Sequence, residues 1–140
     1  MGWLIFPTVA LSELPQFTPI GVTQCSPLSA GALTTPDGGK LRGVTLHHFG
    51  AFLKSEWREN DYLWGRLDGA ELMLRTLQAS LAGQAGADPI PRDTAEAIQM
   101  AGGEICRKVL LAILDTETDL RQVAGLRESL SAQLRKNVLP

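Results

Sequence analysis

The chain has 140 residues, 44% hydrophobic and 20% charged, with a net charge of −2. That is the size and balance of one globular domain, and it supplies no basic field for nucleic acid. Its two cysteines, Cys25 and Cys106, lack metal-ligand spacing and fit buried thiols in a reducing, cytoplasmic compartment better than a disulfide scaffold.

The first eleven residues, MGWLIFPTVAL, are apolar. They lack a basic leader, and Pro7 interrupts them, so a secretory signal is a poor match. Met1-Gly2 suggests myristoylation, but Phe6 stands where Ser or Thr is expected. No apolar run reaches the ~18 residues of a membrane span. The segment reads as a strand or edge that packs on something else.

Residues 1–43 are rich in Pro, Gly, Thr and Ser. The β-branched run of residues 18–25, TPIGVTQC, predicts a strand that Ser26-Pro27 ends. Residues 34–40, around Pro36-Asp37-Gly38-Gly39, predict a turn. So little strand cannot make a stable sheet, so 1–43 is expected to be an arm that docks outside the helices.

Residues 44–140 predict a helical domain. Val44–Lys54 gives a short helix with Thr45 near its cap. Asn60 or Asp61 is expected to cap a second helix running to Ala82, with a core face of Leu63, Leu67, Ala70, Leu74, Leu77 and Leu81. Gly65 and Gly69 suggest close approach by another element, and Glu71–Arg75 an i, i+4 pair. Asp93 and Glu96 resemble a capping box for a helix through Leu114. Its expected face is Ile98, Ile105, Val109 and Ala112, with a break at Gly102-Gly103. Asp115 or Thr116 is expected to cap a last helix with Val123, Leu126, Leu130 and Leu134 inside. The fold expected is therefore mainly α, a bundle of about four to five helices with a β-containing N-terminal arm.

The densest chemistry lies in Lys40–Glu71, where rings, charges and amides crowd together. The candidate cluster is His48, Trp57, Arg58, Asn60, Asp61, Trp64, Arg66 and Asp68. Buried charges must find partners, so the cluster is read as a lock, with the charges of Arg58, Asp61, Arg66 and Asp68 forming a network. Trp57 and Trp64 are expected to bury against Phe49 or Phe52. His47-His48 cannot share one metal, because neighbours on a helix point about 100° apart. No metal site and no cofactor is expected. G-x-S-x-G is absent, so no serine elbow is present.

Ser26-Pro27, KLRG at Lys40–Gly43, HFGAF at His48–Phe52, WREND at Trp57–Asp61 and WGRLDGAE at Trp64–Glu71 resemble a bacterial domain of unknown function. That domain is appended C-terminally to patatin-like phospholipases. The likeness covers most of Thr18–Leu77. Patatin-like enzymes are lipid acyl hydrolases with a serine in G-x-S-x-G and an aspartate in D-G-G or D-G-A. Asp37 and Asp68 both fit the second pattern, but without the serine motif neither inherits the catalytic role.

The resemblance implies a non-catalytic accessory domain. Its partner would be a patatin-like catalytic domain, in cis or in trans, that brings it to the membrane periphery; the arm would dock there or pair in a homodimer. Two alternatives stand beside this. One is an independent helical module binding a protein or an anionic headgroup through Arg58 and Arg66. The other is a hydrolase with an unrecognised site near His48 and Asp61.

Overall fold

In the computed structural model the described residues are 22, 24–35, 39–44, 49–83 and 91–136. Among them the chain is mainly helical. A single-turn helix, α1, spans Gly50–Leu53. Lys54 is extended, and the long helix α2 follows from Ser55–Gly83. Helix α3 spans Arg92–Thr116. A 3₁₀ turn at Arg121–Val123 leads into α4, Ala124–Lys136. There are thus three substantial helices among the described residues.

The core lies where α2 packs on α3, with the 3₁₀ turn and α4 closing one end. Leu63, Trp64 and Leu67 from α2 meet Cys106, Leu110, Ile113 and Leu114 from α3, and Val123, Leu130 and Leu134 complete the cluster. Leu33, from the loop before α1, is buried in the same cluster. Glu59 accepts the Gln122 amide at 2.8 Å and so ties the start of α2 to the 3₁₀ turn.

Several expectations are corrected. Among the described residues there is no strand: Val22, Gln24 and Cys25 are irregular and exposed, and the rest of 18–25 lies outside the described residues. The same is true of the apolar start, of Pro36–Gly38 in the expected turn, and of Thr45 to His48 in the first helix. Residues 29–35 and 39–43 do not sit apart from the helices: Ala30 and Leu33 are buried, and Lys40, Arg42 and Gly43 bond to α2. Cys25 is exposed, whereas Cys106 is buried, and burial raises its thiol pKa.

Asn60 and Asp61 do not cap a helix; they lie inside α2, which begins at Ser55 after the extended Lys54. Their side chains face the loop instead. Leu77 and Leu81 are exposed, because the core face of α2 ends near Leu74. Helix α3 runs unbroken through Gly102-Gly103. Its buried line is Gly102, Cys106, Leu110 and Leu114, one position off the expected face, and Ile105 is half-exposed. Asp115 and Thr116 end α3 rather than start α4, and the Thr116 hydroxyl bonds back to the Ala112 and Ile113 carbonyls.

Candidate functional site: the polar stripe of helix α2

On α2, Asn60, Trp64, Asp68, Glu71 and Arg75 recur at spacings of 4, 4, 3 and 4. That repeat keeps side chains on one face of a helix. The face lies beside the apolar stripe and holds the loop of residues 29–43. Asn60, Asp68, Glu71 and Arg75 each have a specific partner in that loop.

Glu71 is 2% exposed. Its two carboxylate oxygens accept the backbone N–H groups of Gly31 at 2.9 Å and Ala32 at 3.0 Å. Arg75 pairs with the same carboxylate at 2.7 Å and donates to the Ser29 carbonyl at 3.1 Å. A carboxylate this buried needs such donors to offset its lost hydration.

One turn back, Lys40 reaches in from the loop. Its ammonium lies 2.8 Å from Asp68 Oδ1, donates to the Ala30 carbonyl at 3.0 Å, and sits 5.0 Å from the centre of the Trp64 ring. Burial nevertheless pushes the Asp68 carboxyl above its usual range, against the pull of Lys40 and with the neighbouring Glu71 charge adding to the rise. Asp68 Oδ2 and the Trp64 indole N–H are both buried without a protein partner.

At the far end of the stripe Asp61 accepts the N–H groups of Arg42 and Gly43, both at 2.7 Å. Asn60 donates to the Lys40 carbonyl at 2.8 Å and to Asp61 at 3.0 Å. Three acidic side chains and one amide thus fix the KLRG segment and the Gly31-Ala32 step. Carboxylates that receive paired backbone N–H groups act as local caps for an otherwise irregular loop.

The expected charge network is corrected. Arg58, Asp61, Arg66 and Asp68 do not pair with one another. Arg58 donates to the Phe52 carbonyl at 3.2 Å. Arg66 pairs with Glu117 beyond the end of α3. Both charges point away from the polar stripe, because positions 58 and 66 lie on the opposite side of α2. The expected aromatic cluster is also corrected. Trp64 is fully buried, but Phe49 and Phe52 are exposed and stack on each other at 6.1 Å. Trp57 is half-buried beneath the Lys54 ammonium, 4.9 Å from its ring centre. His48 lies outside the described residues.

Lys40 and Glu71 are the key residues that the candidate cluster omitted. Glu71 reads as half of a surface pair with Arg75. The signal that could have found it is the second 4-4-3-4 stripe, polar but parallel to the apolar one. Gly65 and Gly69 are corrected as well: a Cβ at either position would meet nothing within 4 Å. Each weakens a helix by roughly 1 kcal/mol relative to Ala, with no neighbour among the described residues to account for it.

A cavity of about 390 Å³ opens between α2 and α3 beside the clamp, lined by Glu71, Arg75, Gln78, Gln99, Gly102 and Cys106 among others. Its charged groups are already engaged in holding the loop. Among the described residues no group of three or more His, Cys, Asp or Glu side chains could hold a metal ion. Nor is any helix there long and apolar enough to cross a membrane.

A helical domain whose signature motif clamps its own loop is the class that this geometry defines. The chain belongs to the family described as a protein of unknown function, DUF3376, which matches residues 3–138. It is also similar to the uncharacterized membrane protein Rv3479 of Mycobacterium tuberculosis (strain ATCC 25618 / H37Rv), with 60% identity over 38 residues. That stretch is 27% of this chain and 4% of the relative. No solved structure matches the chain.

Proposed function

We propose that the chain is a non-catalytic accessory domain of a patatin-like lipid acyl hydrolase, acting in cis or in trans. The observation that carries the reading is the position of Asp68. It is the described aspartate that fits the D-G-A pattern of a patatin-like dyad, yet it is buried against Lys40 of the chain's own loop. A dyad aspartate must reach a nucleophile and a substrate. Asp68 is occupied in fixing structure, and no G-x-S-x-G serine accompanies it. The matched stretch is a very small part of a much longer relative, which favours a module attached to other domains.

The alternatives lose the groups on which they rely. Arg66 is paired with Glu117 and Arg58 bonds the Phe52 carbonyl, which weakens a headgroup site built on them. Both oxygens of Asp61 accept backbone N–H groups, so it is poorly placed to orient a catalytic histidine. In the accessory reading, the domain reaches a membrane surface from the cytoplasmic side through its catalytic partner.

The test has two arms. The purified chain is expected to give no turnover of short-chain esters or phospholipid vesicles. Added to a patatin-like catalytic domain from the same polypeptide or the same genome, it is expected to bind and to alter that domain's rate on vesicles. Turnover by the chain itself that survives repurification and disappears in Asp68→Asn refutes the non-catalytic assignment. Absence of binding refutes the accessory one.

A further inference from the structure

We propose that the outward side of α2 is a self-association surface, on which a second copy of this chain packs its own α2 antiparallel. The inference is independent of the accessory role.

Helix α2 has three sides. One clamps the 29–43 loop and one packs on α3. The third carries Tyr62, Gly65, Gly69, Met73 and Leu77, together with Arg58 and Arg66, whose guanidinium groups are engaged by the Phe52 carbonyl and by Glu117. Its large apolar side chains are half to two-thirds exposed, and the space above both glycines is open. An ordinary surface helix places its polar residues outward. Here Asn60, Asp68 and Glu71 face inward, while Tyr62, Met73 and Leu77 are exposed. Arg58, one turn before Tyr62, bonds the Phe52 carbonyl, so the surface continues onto α1. There Phe49, Phe52 and Leu53 are 65–75% exposed.

The area suits a dimer. Together with Leu81, the large apolar side chains of α1 and α2 expose roughly 900 Å². A specific interface takes about 800 Å² from each partner. The α2 side chains alone fall short of that figure, and both helices together reach it.

The sequence of the face also complements itself. An antiparallel pairing centred between Gly65 and Gly69 sets each glycine against the other glycine of the second copy. Backbones can then approach closely. Tyr62 and Met73 lie almost equally far on either side of that centre, so each ring meets a thioether, a favourable sulfur–aromatic contact. Leu81 then falls opposite α1 of the second copy. Such reciprocity is the mark of a two-fold, isologous interface. It gives the two glycines a purpose that nothing among the described residues supplies.

Sedimentation velocity on the whole chain, from about 1 to 200 μM under reducing conditions, tests the proposal. The reductant removes any dimer linked through exposed Cys25. A concentration-dependent dimer is expected. Met73→Glu should weaken it at least about 10-fold by placing a charge in an apolar contact. Gly69→Leu should do the same while the circular dichroism and monomer melting temperature stay at or above wild type, because its side chain enters open space in the monomer. A chain that stays monomeric throughout overturns the proposal and leaves the face to another domain. A dimer that survives both substitutions overturns it too, by placing the contact elsewhere.

Discussion

Lys40 and Asp68 form an ion pair of 2.8 Å in which the two side chains are only 10% and 7% exposed. The pair joins the loop to the middle of α2. Removing one partner of such a pair leaves the other charge buried and alone, whereas removing both can be nearly neutral. Lys40→Met is therefore expected to cost about 3–5 kcal/mol, and Lys40→Met with Asp68→Leu distinctly less. Urea denaturation of the two variants decides it. Equal losses would mean that the pair is not the element holding the loop.

The same pair carries a pH dependence. The carboxyl of Asp68 titrates above its ordinary value of 3.8 in the folded chain, mainly because it is buried. A raised acid pKa means that the folded state holds the proton more tightly than the unfolded state. The resulting stabilisation is fully present below 3.8 and is lost as pH rises through the folded pKa. Asp68→Asn mimics the protonated form. Wild-type stability minus that of Asp68→Asn should thus decline as pH rises through this window, as read by denaturant titrations at several pH values. A difference that grows with pH would reverse the assigned direction.

Glu71 holds the loop at a second point, the Gly31-Ala32 step. Glu71→Gln replaces one acceptor oxygen with an amide that faces N–H donors, and it removes the charge that pairs with Arg75. Hydrogen bonds to charged groups contribute about 1.5–3 kcal/mol each, so a total loss of about 2–4 kcal/mol is expected. Hydrogen exchange gives the local readout. The amides of Gly31 and Ala32 should be protected in the wild type and exchange rapidly in the variant. Protection that survives would place their partners elsewhere.

The helical character and much of the packing were legible in the sequence. The stripe of Leu63 and Leu67, and that of Val123, Leu130 and Leu134, follow from apolar periodicity, and all five are buried. The cluster around WREND and WGRLD was legible as a lock. Its partners were not, because the lock closes on a loop up to 46 residues away in sequence, and backbone N–H groups leave no pattern in residue types. Asn60 and Asp61 misled for a related reason. Such residues favour helix caps, and here the same capping chemistry is applied from mid-helix to a separate segment. Periodicity also finds an apolar face without saying whether anything covers it, which is why Leu77 and Leu81 read as core.

Burial separates the aromatic residues sharply. Trp64 is 0% exposed and Phe52 is 75% exposed. Trp64→Ala should cost about 3–5 kcal/mol, enough to unfold or nearly unfold a domain of ordinary stability. Phe52→Ala should stay within about 0.5 kcal/mol when measured on the monomer. Thermal melts at low protein concentration compare the two. A Trp64→Ala melting temperature within a few degrees of wild type would contradict its place in the core.

Gly102 offers a test of how α2 and α3 meet. A Cβ there would overlap the side-chain amide of Gln78, which crosses from α2 to donate to the Ile98 carbonyl at 3.4 Å. Glycine is thus required by a neighbour on another helix, unlike Gly65 and Gly69. Gln78 is long and flexible, so Gly102→Ala should displace it rather than force the helices apart. Two effects then oppose each other. Alanine improves helix propensity by about 1 kcal/mol, and the displaced amide loses its contact at a crowded crossing. In the wild-type background the substitution should be neutral or mildly destabilising. In a Gln78→Ala background the overlap is gone, and the same substitution should stabilise by about 1 kcal/mol, a coupling typical of residues in direct contact. Chemical denaturation of the four proteins closes the cycle. A coupling of zero would mean that Gln78 does not lie over Gly102 in solution.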